Sequence, residues 1–178
     1  MSSYPVYVGI DVACAAGKRL PACVVSAGQP IMPLAIPKHL GAAIPRGVGN
    51  KEIAAVAPFQ EAALGVAGSI NRVAIEMGWH VERAAVDVPA APPAANSRVS
   101  EDELGRLGLS SFRTPAAGAW DGIKQKCVEH LGSGGSTATL PHANKIWMLF
   151  GFELFSCLRA DLGIEVIQLA TRAEQLFD

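Results

Sequence analysis

Residues 7–25 read YVGIDVACAAGKRLPACVV. Two apolar runs flank a turn built on Gly17, Lys18 and Arg19, which is the pattern of a β-hairpin. The first run predicts a strand over residues 6–13 and the second a strand over residues 20–26. Asp11 breaks the first run. A carboxylate stands where a core strand favours Val or Ile. The stretch AGQP (27–30) predicts a second turn, and residues 31–36 a third strand with Pro33 marking it as an edge. Residues 41–50 read as a loop rich in Gly and Pro.

The period then changes. Ala63, Val66, Ile70, Val73 and Met77 recur at helical spacing from Phe59 onward, and Gly78 is a stop signal. Residues 81–88 predict a fourth strand, which ends in VDVPAAPPAA (86–95): a carboxylate, Asp87, followed at once by a proline-rich loop. Ser100 and Glu103 fit a capping box for the next helix. Further helices are expected over 120–131, closed by Gly132, and over 141–162, closed by Gly163. IEVIQL (164–169) predicts a fifth strand, and Thr171 with Glu174 a last capping box.

The order is β-β-β-α-β-α-α-α-β. A strand reached through a helical crossover runs parallel to the strand it joins. Strand one in the middle of the sheet and strand four beside it bring Asp11 and Asp87 together. Two adjacent carboxylates in an apolar setting repel, and desolvation adds to the cost. A hard cation such as Mg²⁺ or Mn²⁺ relieves both, because it takes carboxylate oxygens. A lone Asp in a strand also fits a bulge or strand end, and Asp87 also fits loop capping. The pairing points to a metal.

Composition sets the outer limits. The chain has 178 residues, half of them apolar and 17% charged, with a formal net charge of −1. That describes a globular protein without the global positive field of a general nucleic-acid binder. The four cysteines form no C-x-x-C pair and have no His at zinc-like spacing. No signal peptide and no apolar run of about 20 residues is evident, so a cytoplasmic protein with mostly buried thiols and no membrane is expected. His39, His80, His130 and His142 form no Cys-His or Ser-His arrangement. GSGGST (132–137) lacks the spacing of a P-loop and reads as a linker. IWMLFGFELF (146–155) is apolar almost all round, which leaves it burial or a homo-oligomer interface.

Five stretches stand in order along the chain: YVGIDVA (7–13), AAVDVPAAPP (84–93), RVSEDELGRLGLSSFRTPA (98–116), WMLFGFELFSCLRADLG (147–163) and EVIQLATRA (165–173). Together they resemble an uncharacterised domain family of predicted ribonuclease H-like nucleases. The resemblance implies a ribonuclease H-like α/β fold, a five-stranded mixed sheet flanked by helices, as one domain over 1–178. It implies acidic Mg or Mn ligands and a phosphodiester substrate, hence nucleic acid as partner. Asp11 and Asp87 are the expected catalytic and metal-binding residues. Arg98 and Lys18 are candidates to meet phosphate, and Glu101 is a candidate further ligand. Glu101 also fits the favourable end of a helix dipole, and Lys18 with Arg19 a solubilising turn. Gln168 stands where the family carries an acid in strand five, and the family's chain runs on beyond the equivalent of Asp178, which suggests missing C-terminal helices. Two other functions stay open: a ribonuclease H-like binding or oligomerising protein without activity, and an ATP-binding module of the actin and sugar-kinase type. The latter lacks its second domain and second phosphate loop here.

Overall fold

Alternation builds the centre of the sheet. In β1 (Tyr4–Asp11), Val6, Val8 and Ile10 are buried and the residues between them are half-buried or exposed. β2 (Ala22–Ser26) pairs antiparallel with β1, and β3 (Pro33–Leu34) pairs antiparallel with β2. The coordinates are a computed structural model describing residues 3–12, 16–47, 49–50, 59–95, 97–109, 113–163 and 165–168. The expected third strand is cut to Pro33–Leu34. Proline has no N–H to give a ladder; Pro30 and Pro37 bracket the expected run and Pro33 lies inside it. A short helix, α1 (Lys38–Gly41), reaches the start of the expected 41–50 loop.

α2 (Phe59–Met77) buries Ala63, Val66, Ala67, Ile70, Val73 and Ala74. It ends at Gly78, whose φ of +66° is the left-handed stop that glycine adopts freely. β4 (Trp79–Asp87) follows and pairs parallel with β1. The pairing slips by one residue between Val6 and Tyr7: Val6 faces Val81, whereas Tyr7 faces Arg83, leaving Glu82 as an extra residue. α3 is Val99–Arg106, α4 Trp120–Gly132, α5 Ala143–Leu162 and β5 Glu165–Gln168. β5 runs parallel to β4, and the sheet order is β3-β2-β1-β4-β5, with β1 in the middle. The fold is therefore α/β, with a five-stranded mixed sheet flanked by helices. The expected Thr171–Glu174 capping box lies outside the described residues.

α2 and α5 pack on each other and on the face of the sheet that carries Val6, Val8 and Ile10. Within the apolar 146–155 stretch, Ile146, Met148, Leu149, Phe150, Leu154 and Phe155 are all buried inside the chain itself. Trp120 meets Phe152 edge-to-face at 5.5 Å, joining α4 to α5. Gly151 lies so close to Val88 that a Cβ there would collide with the valine side chain. α5 therefore sits directly against the segment that leaves β4. No helix among the described residues is long and apolar enough to cross a membrane.

Candidate functional site

The two strand acids meet in register. Asp11 pairs with Asp87 across the parallel β1–β4 ladder, one position beyond the buried pair Ile10 and Val86. Neighbouring strands lie about 4.8 Å apart, and register partners share a face. The two carboxylates therefore project together on the face opposite the helices, beyond the small residues Gly9 and Ala85. Both are exposed. They sit at the carboxyl ends of their strands, where open α/β sheets place their ligand sites.

Local backbone geometry fixes each acid. The Asp11 N–H donates to the Pro21 carbonyl at 3.0 Å, so β2 holds the end of β1. After Asp87 the Val88 N–H donates back to the Val86 carbonyl at 2.9 Å, turning the chain towards buried Pro89. Two exposed like charges at this spacing suit a hard cation, which takes one or two carboxylates and completes its shell with water. The donor set thus fits Mg²⁺ or Mn²⁺. Among the described residues, no group of three or more His, Cys, Asp or Glu could hold a metal ion.

Glu101 has a different task. It is buried, and its oxygens are already taken. The Thr114 N–H donates to both of them at 3.0 and 3.1 Å, and the Thr114 hydroxyl donates to Oε1 at 2.6 Å. Arg98 adds its Nε–H at 2.8 Å and its backbone N–H at 3.3 Å. Burial pushes the carboxyl up, but the hydrogen bonds from Thr114 and Arg98 outweigh it and hold Glu101 below the ordinary glutamate range. Arg98 is the N-cap of α3 and Glu101 its N3 residue. The helix is therefore capped at its start by Glu101 accepting the Arg98 backbone N–H, half of a capping box, and not by Ser100 with Glu103. Glu103 instead pairs with Arg106 on the surface. The Arg98 side chain is committed to Glu101. Thr114, fully buried and 13 residues from Glu101, has no signature in local spacing.

Lys18 lies in the β1–β2 turn, exposed, at the same end of the sheet as the acid pair. Its carbonyl accepts from the Gly47 N–H at 2.6 Å. Gln168 pairs with Val86, so described β5 stops one register position short of Asp87. Of the thiols, Cys127 and Cys157 are buried, but Cys23 is exposed. Burial raises the Cys127 thiol, which donates to the Pro141 carbonyl at 3.1 Å. Cys14 lies outside the described residues. No protein-family model, curated protein or solved structure matches the chain.

Proposed function

We propose that the chain is a ribonuclease H-like, metal-dependent hydrolase of nucleic-acid phosphodiester bonds, with Asp11 and Asp87 holding Mg²⁺ or Mn²⁺. The register pairing of these two exposed acids at the ends of the two central parallel strands carries the reading. A divalent cation bound there supplies Lewis-acid polarisation of a phosphoryl oxygen and an acidified water. Asp11 and Asp87 anchor it through oxygens whose main chain is fixed by the β1–β2 and β1–β4 ladders.

The test is metal-dependent stability and cleavage. Thermal unfolding is followed while Mg²⁺ or Mn²⁺ is titrated into the wild type, Asp11→Asn and Asp87→Asn. The reading expects a rise in melting temperature that both variants lose, and metal-dependent cleavage of single- or double-stranded substrate that both abolish. A wild type that gains nothing from either metal refutes it. A second reading has one observation in its favour. Glu101 is engaged by Thr114 and Arg98, leaving two described carboxylates at the pair. On that reading the protein binds metal and nucleic acid without turnover, and it predicts metal stabilisation with no cleavage.

A further inference from the structure

Arg19 and Arg46 face each other across an isolated antiparallel bridge. Like charges placed directly opposite on a sheet are unfavourable. The fold nonetheless builds the pair with care. Gly47, next to Arg46, is stitched to the β1–β2 turn by a parallel bridge to Ala16 and by the Gly17 N–H donating to the Gly47 carbonyl at 3.2 Å. Arg46 Nη1 donates to the Gly17 carbonyl at 2.6 Å, and Arg19 Nη2 to the Ala42 carbonyl at 3.4 Å. Each guanidinium thereby makes one backbone contact, short for Arg46 and long for Arg19, while most of its five N–H donors stay available. Both side chains are exposed, as is neighbouring Lys18. Among the described residues no carboxylate pairs with any of the three. Arg19 is two residues from Pro21, whose carbonyl accepts the Asp11 N–H, so its backbone lies within roughly 7 Å of the Asp11 partner level.

We propose that Arg19 and Arg46, with Lys18, form a phosphate clamp that holds a nucleic-acid strand beside the acid pair. The inference rests on the nuclease reading for its substrate. A guanidinium matches a phosphate in a two-pronged fashion, and two like-charged residues set opposite on a bridge gain from an anion bound beside them. The clamp needs no metal. Phosphate held there positions the neighbouring backbone towards Asp11 and Asp87.

The experiment measures anisotropy of a short fluorescein-labelled single-stranded oligonucleotide in EDTA, over a series of salt concentrations. Arg19→Ala/Arg46→Ala is expected to weaken binding by at least about tenfold and to lower the salt slope by roughly two phosphate contacts. Arg19→Lys/Arg46→Lys keeps charge and side-chain length, guards against misfolding, and is expected to lose at least about threefold because Lys lacks the fork. Lys124→Ala/Lys126→Ala, on α4, is expected to bind as the wild type does. A second arm replaces the oligonucleotide with inorganic phosphate and reads thermal stability against chloride at equal ionic strength. Arginine-dependent binding of the oligonucleotide supports a strand as the ligand. Arginine-dependent stabilisation by inorganic phosphate alone supports the clamp and assigns it to a free phosphate. Oligonucleotide affinity within twofold across all variants, with no arginine-dependent phosphate effect, overturns the clamp. Asp11→Asn separates the two proposals: loss of metal response with retained arginine-dependent binding in EDTA sustains both, and an absent metal response in the wild type refutes only the nuclease.

Discussion

Asp87 stands level with Asp11 on the neighbouring parallel strand, each one residue past a buried aliphatic partner, with both carboxylates in water. Without a cation the pair is a local repulsion. Asp11→Asn should therefore stabilise the metal-free protein by about 0.5 kcal/mol at low salt. The gain should fade in about 1 M NaCl, where screening acts within about 3 Å. Urea unfolding in EDTA at both salt levels is the measurement. A destabilised variant at low salt would mean that Asp11 serves the fold through its charge.

Glu101 is the buried counterpart of that exposed pair. Glu101→Gln turns one acceptor into a donor that faces the Thr114 N–H and hydroxyl, and should cost about 2–3 kcal/mol at neutral pH. The pH dependence follows from the lowered carboxyl. A depressed folded value means that the stabilisation is present above the unfolded value of about 4.3 and is lost as pH falls through the folded value. The gap between wild type and variant should narrow as pH falls below about 4. A gap that is the same at about pH 3 as at pH 7 would show that the Glu101 charge contributes nothing.

The space around Gly9 makes a steric prediction. A Cβ on Gly9 would sit 2.8 Å from the Cys23 sulfur on β2. Gly9→Ala should push the exposed Cys23 side chain off its rotamer at a cost of about 1 kcal/mol, and Cys23→Ala should recover most of it. A double-mutant cycle by chemical denaturation reads the coupling. Simple additivity would mean that the clash relaxes elsewhere.

Leu154 decides the role of the apolar helix. It is fully buried between α5 and the rest of the core. Leu154→Ala should cost about 2–5 kcal/mol and leave the molar mass by light scattering unchanged. A helix acting as a subunit seam would give the opposite pattern, a change in mass at nearly constant stability.

Much of the scaffold was legible because it depends on local rules. The alternation of Val6, Val8 and Ile10 marks β1, and the helical stripe ending at Gly78 marks α2. The crossover rule placed β4 beside β1, which set the two acids near each other. Contacts made over long separations were not legible. Ser100 and Glu103 match a capping box, but burial of Glu101 against Thr114 shifted the helix start to Val99. Nothing in the run around Arg46 signals that it will face Arg19 across 27 residues. The third strand failed for a local reason, since prolines withhold the donors that a longer ladder requires.

The extra residue at Glu82 governs which side of the sheet Asp87 occupies. Side chains alternate, so an offset of one position reverses every orientation downstream. Had β4 continued past Val81 in its first phase, Val86 would stand level with Asp11, and Asp87 would point with Val12 into the helices. The irregularity acts as a phase shifter five residues upstream of Asp87. The convergence of the two acids is thus written in the backbone count, well away from either carboxylate.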